Sequence, residues 1–135
     1  MARSNQQLVE DFFKAVAAGH VTDDLITPDM TFWSVNSGMS DKPRFLGGIK
    51  VLASIFNAGT LAYFVESLTA EEDRLIAEIS SQGTLINGEA LNNTHVFLFW
   101  LRDGRIAAAK EYMNQFVVRD KIVPLMQAAM TKAPT

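Results

Sequence analysis

The sequence predicts an α+β fold: a cone-shaped, curved antiparallel sheet wrapped around N-terminal helices, with a short C-terminal helix. Three observations carry that expectation. Apolar residues recur at helical spacing near both ends of the chain. Residues 75–113 read as three strands hinged at Asn87-Gly88 and Asp103-Gly104, with polar side chains two apart among apolar ones, as antiparallel strands joined by tight turns do. Consecutive antiparallel strands cannot bury both faces alone, and the amphipathic helices are the available cover.

Ser4 followed by Gln7 is a capping-box pattern. Leu8, Val9, Phe12, Phe13 and Val16 then hold helical spacing up to Gly19, which gives the first helix. Thr22 before Asp23 and Asp24 predicts the cap of a short second helix, stopped by Pro28. Residues 31–36 read as a strand that runs into a polar loop over 37–44. Ile49, Leu52, Ala53 and Phe56 place a third helix between Gly47-Gly48 and Gly59. Residues 61–68 form the next strand and 70–73 a polar turn, followed by the three strands of 75–113. Pro124 suits the first turn of a closing helix carrying Leu125, Met126, Ala129 and Met130.

With 135 residues the chain is read as one domain, 1–135, large enough to remove about two thirds of its unfolded surface from water. Hydrophobic residues at 48% and charged residues at 20% mark a folded chain rather than a disordered one. The longest apolar run, 96–101, is far short of the ~20 residues of a membrane helix. The first residues lack the apolar centre of a secretion signal, so the expected location is cytoplasmic. Absence of cysteine excludes disulfides and thiolate chemistry. A net charge of -3 without a basic cluster argues against nucleic acid, which leaves small molecules or proteins as partners.

Strand register decides which polar residues meet. A two-residue turn at Asn87-Gly88 pairs Gln82 with Asn93, Ser80 with His95 and Glu78 with Phe97, all on one face. At Asp103-Gly104 a two-residue turn sets Tyr112 opposite His95, whereas a three-residue turn with Gly104 as a bulge sets Glu111 there. The first version also places Arg102 beside Arg105. Like charges directly opposite are unfavourable, so the bulge is the expectation.

Beyond these patterns the chain resembles the cone-fold superfamily of nuclear-transport-factor-like domains, ketosteroid isomerase, limonene epoxide hydrolase and SnoaL-like polyketide cyclases. The resemblance spans nearly the whole length. It is carried by the helix at 9–18, by TPDMTFWSV at 27–35, and above all by NNTHVFLFWLRDGRIAAAKEYMN at 92–114. It implies a concave pocket, chemistry without a cofactor, and homodimers formed through the outer face of the sheet. It places Glu111 at the position of a catalytic carboxylate of the epoxide hydrolases and Trp33 near the pocket. Glu78 and Ser80 stand where those hydrolases keep an arginine and an aspartate, and Phe32 and Ser34 where they keep tyrosine and asparagine, so that particular mechanism is not expected. The superfamily also holds proteins that catalyse nothing.

Glu111 reads as a general acid or base, partly desolvated on a concave face, or as half of a salt bridge at the rim. His95 between Ser80 and Glu111 imitates a nucleophile-histidine-carboxylate row. A mid-strand serine has neither an evident oxyanion hole nor a strained elbow. The two readings that follow are a network in which His95 and Glu111 share a proton, and a buried histidine satisfied by its neighbours. Glu78 close to Glu111 would raise a carboxylate pKa. Ser80, Gln82 and Asn93 would orient an enolate oxygen, with Phe32, Trp33, Ser34, Phe97 and Met113 as walls. His20 and His95 lack metal-ligand spacing. The expected function is cofactor-free general acid–base catalysis on a small apolar carbonyl compound. The alternatives are a non-catalytic ligand-binding or dimerisation module, and a domain that meets a partner protein through Leu98 and Trp100.

Overall fold

The computed structural model describes residues 3–131; the outermost residues of the domain expected over 1–135 lie outside the described residues. Helix α1 (Asn5–Ala18) begins where Ser4 Oγ accepts the Gln7 N–H at 3.0 Å. It ends at Gly19, whose φ of 79° lets its N–H reach the Ala15 and Val16 carbonyls. Only half of the capping box forms, because the Gln7 side chain donates to Asp11 at 2.7 Å instead of turning back to the cap.

The short helix expected after Thr22 does not form. Thr22 Oγ1 donates to Asp24 Oδ1 rather than accepting from the backbone, and residues 23–25 make a turn directly into β1 (Ile26–Ser34). Pro28 sits inside this strand, where the pairing register shifts between Ile26 and Thr31; a residue without an N–H is tolerated at such an irregularity. The loop expected over 37–44 is also replaced. Residues Gly38–Asp41 form β2 against β1, and α2 (Lys42–Ser54) starts at Asp41, whose Oδ1 accepts the Arg44 N–H at 3.0 Å. An aspartate cap with a proline in the first turn outweighs the glycine pair. Gly47 and Gly48 therefore lie within α2, and Gly59 belongs to a later turn rather than to the helix end.

Strands β3 (Ala62–Glu71), β4 (Arg74–Thr84), β5 (Ala90–Arg102) and β6 (Arg105–Met113) follow. The chain closes with α3 (Gln115–Val117), a π-helical turn (Val118–Ile122) and α4 (Val123–Thr131). The six strands lie in the order β2-β1-β6-β5-β4-β3. All neighbours are antiparallel except β1 and β6, which run parallel, so the sheet is mixed. No described helix is long and apolar enough to cross a membrane.

One face of the sheet closes on α1 and α2. Phe12 meets Phe99 at 5.6 Å between ring centroids, Phe13 meets Phe97 at 4.8 Å, and Phe32 meets Phe45 at 4.7 Å. A second cluster, of Ile55, Phe56, Leu61, Leu85 and Leu91, takes the apolar side of the C-terminal helices through Val117, Ile122, Leu125, Met126 and Ala129.

The Asn87-Gly88 hairpin differs from expectation by one residue. Leu85 donates its N–H to the Glu89 carbonyl at 2.8 Å, Gly88 donates to the Leu85 carbonyl at 2.8 Å, and Gly88 has φ 89°. This is a three-residue loop ending in a left-handed glycine, not a two-residue turn. Packing explains the choice. The loop puts Leu75, Ala77 and Ile79 on the same buried face as Phe97 and Phe99, and burial of one such ring is worth ~1.5–3 kcal/mol. A one-residue slip would have turned one of these sets to solvent.

The second hairpin reverses the other expectation. Asp103 (φ 53°) and Gly104 (φ 73°) form a two-residue turn with Arg102 opposite Arg105, as left-handed pairs do. The arginines separate onto different acceptors, Asp29 for Arg102 and the Asp23 carbonyl for Arg105. The extra residue appears further along, as a register shift past Trp100 and Leu101 that leaves Ala107 unpaired.

Candidate functional site

After that shift Glu111 pairs with Phe97 and His95 with Met113. Glu111 therefore shares the inner face with His95, while Tyr112 faces outward and is exposed. Glu111 Oε2 lies 2.7 Å from His95 Nδ1, and His95 Nε2 lies 2.8 Å from Ser81 Oγ. The His95 and Glu111 side chains are only 7% and 16% exposed, and Ser81 is buried. The partner of Glu111 is thus the histidine and not a lysine or arginine at the rim. An ionised carboxylate only accepts, so Nδ1 carries the proton toward Glu111, and a neutral ring then accepts the Ser81 hydroxyl at Nε2.

The serine in this chain is Ser81, not Ser80. The loop at Ile86-Asn87-Gly88 moves Ser80, Glu78 and Gln82 to the outer face. There Ser80 donates to Glu66 at 2.7 Å, Glu78 accepts from Ser67 at 2.6 Å, and Gln82 is exposed. Glu78 is therefore remote from Glu111 and does not act on it by like-charge proximity. Trp33 also lies outside, against Tyr112 and Lys110.

The remaining expected residues are on the inner face. Asn93 is 5% exposed and stands opposite Ser81. Phe97 and Phe32 are engaged by Phe13 and Phe45. Met113 meets Asn36, and Ser34 Oγ accepts the Asn36 N–H at 3.1 Å, which gives Ser34 the work of holding the turn after β1. Two surface recesses, of about 310 and 200 Å³, open around Ser80, Gln82 and Asn92 and around Trp33 and Trp100; neither is lined by Glu111 or His95.

Tyr63 was not singled out by the sequence. Its ring lies 5.9 Å from that of His95 and 5.1 Å from that of Phe13. Burial, and secondarily the Glu111 charge, push its hydroxyl pKa well above the ordinary range. It is a neutral phenol beside a carboxylate. A tyrosine one place before the outward Phe64 was the available signal, but only the β3–β4 register identifies its face.

The arrangement can hold and pass a proton. A carboxylate, an imidazole and a hydroxyl are linked in series on the inner face, where burial strengthens each hydrogen bond.

A family model described as a SnoaL-like domain matches residues 9–109. An NTF2-like protein of Anabaena variabilis is 23% identical, with a TM-score of 0.70 over 81% of this chain and 85% of that one. A Jannaschia protein provisionally assigned as a SnoaL-like polyketide cyclase is 18% identical, with a TM-score of 0.72 over 90% of this chain and 96% of that one. A Bacillus subtilis protein provisionally assigned as an isomerase is 19% identical, with a TM-score of 0.72 over 85% and 89%. No curated protein matches the sequence.

Proposed function

Since the chain belongs to the SnoaL-like domain family, we propose that it is a cytoplasmic, cofactor-free enzyme that moves a proton on a small, apolar carbonyl compound, with Glu111 as the acid–base group and His95 as its partner. The observation that carries this reading is the Ser81–His95–Glu111 chain, with bonds of 2.8 and 2.7 Å on an apolar inner face. General acid–base groups contribute about 10²–10⁴-fold to rate, and a carboxylate with one oxygen held by an imidazole keeps the other for a substrate C–H. The provisional assignments of two similar proteins, a cyclase and an isomerase, agree with this class of chemistry. Native mass spectrometry with a panel of uncharged carbonyl compounds, followed by turnover assays on those that bind, tests the reading. Turnover lost in Glu111→Gln is the expected result; full turnover in that variant would refute the assignment.

A second reading, a non-catalytic ligand-binding or dimerisation module, is favoured by one observation. Phe32 and Phe97 are engaged in the core, and neither recess is lined by Glu111 or His95. Binding without turnover by any panel member would select it. In either case the proposed assembly is a homodimer through the outer sheet face, where Phe64, Ile76, Val96 and Tyr112 are exposed.

A further inference from the structure

Among the described residues, one buried side-chain nitrogen has no hydrogen-bond partner: Nδ2 of Asn93. The orientation of its amide is fixed, because Oδ1 accepts the Thr94 N–H at 2.8 Å and a backbone N–H can only face the oxygen. A buried donor left unpaired forfeits a hydrogen bond that it had in water. Native structures seldom leave such a group empty without a use for it.

Its position suggests the use. Asn93 pairs with Ser81 across β4 and β5, so the two side chains rise from the inner face as direct cross-strand neighbours. Ser81 Oγ is in turn the far end of the chain that runs through His95 to Glu111. An acceptor oxygen placed on Asn93 Nδ2 would thus sit beside the proton-handling groups.

The charge around the site selects the acceptor. The inner-face residues here are Ile79, Ser81 and Gly83 on β4, Asn93, His95 and Phe97 on β5, and Ala109, Glu111 and Met113 on β6. They include a carboxylate and no lysine or arginine. A ligand carboxylate or phosphate would meet Glu111 without a counter-charge, and a neutral oxygen would not. Resting on the acid–base reading above, we propose that Asn93 Nδ2 anchors the carbonyl oxygen of an uncharged ketone, ester or lactone. When the neighbouring C–H bond breaks, its proton passes to the Glu111–His95 pair, its electron pair forms the carbon–carbon double bond of the enolate, and the carbonyl π pair moves onto the oxygen. The Asn93 N–H then faces that developing negative charge.

The test uses the full chain and cyclohex-2-enone carrying ¹³C at its carbonyl. Titration is expected to move the Asn93 side-chain ¹⁵N–¹H₂ resonances saturably and the probe's carbonyl carbon downfield. Asn93→Leu, and the isosteric Asn93→Asp that exchanges a donor for an acceptor, should each weaken binding about tenfold, the worth of one hydrogen bond. If either variant fails to fold, the wild-type resonances decide alone. Glu111→Gln should retain Asn93-dependent binding and lose chemistry; unchanged chemistry in that variant with binding intact would sink the acid–base reading while leaving the anchor standing. An unmoved Asn93 amide, absence of saturable binding, or equal affinity in folded Asn93 variants overturns the proposal.

Discussion

Replacing either of two adjacent serines by alanine separates the register described here from its one-residue alternative. Ser81 Oγ is buried and 2.8 Å from His95 Nε2. Ser81→Ala leaves that nitrogen buried without a partner, at a cost of about 1–3 kcal/mol. An unfolding entropy of about 2.1 cal/mol/K per residue over 135 residues gives about 0.28 kcal/mol/K. The melting temperature should therefore fall by about 4–10 °C. Ser80 instead donates to Glu66 on the outer face, and surface changes of this kind stay within about 0.5 kcal/mol, or less than about 2 °C. Calorimetric or circular-dichroism melts of the two variants under identical conditions give the comparison. A Ser80→Ala loss equal to that of Ser81→Ala, or a Ser81→Ala loss below about 0.5 kcal/mol, would refute the register and with it the Ser81–His95–Glu111 chain.

Two further expectations concern Tyr63 and the outer face. The Tyr63 pKa is raised from an ordinary value of 10.0, first by burial and then by the Glu111 charge. The unfolded chain therefore ionises before the folded one, so this contribution to stability is complete below about pH 10 and is lost as pH rises through the folded pKa. Ultraviolet titration should find one phenol that resists ionisation and does so less in Glu111→Gln; two tyrosines titrating normally in the folded protein would contradict its burial. Val96→Glu places a charge in the exposed apolar outer face and should convert the proposed homodimer to monomer in sedimentation velocity, whereas an unchanged sedimentation coefficient would remove that face from the interface.

Long-period signals in the sequence were legible. The Ser4 cap, the apolar stripe of α1, the three strands of 75–113 and the closing helix at Pro124 all lie where the pattern places them, and the SnoaL-like resemblance agrees with the family match. Short-range turn chemistry was the weaker guide, for a physical reason. Asn87-Gly88 and Asp103-Gly104 are each compatible with two- and three-residue loops, which differ by little energetically. The choice is made by distant partners: Phe97 and Phe99 must join Leu75, Ala77 and Ile79 in one core. The same competition explains why Ser80, Glu78 and Gln82 moved outward and Ser81 inward. It also explains how Glu111 reached the inner face by a shift at Ala107 that no local motif announced. At Thr22 and Gly47-Gly48, isolated cap and breaker residues yielded to side-chain contacts from Asp24 and Asp41.

Deuterium uptake from D₂O at the carbon next to the carbonyl of each uncharged ketone that binds, followed by ¹H NMR with wild-type protein and with Glu111→Gln, reads the proton transfer itself. The wild type should exchange at least one such compound, and the rate should fall about 100-fold or more in the variant. Exchange by Glu111→Gln at the wild-type rate, or no exchange by the wild type on any ketone it binds, would contradict the assignment of Glu111 and His95 as the proton-transferring pair.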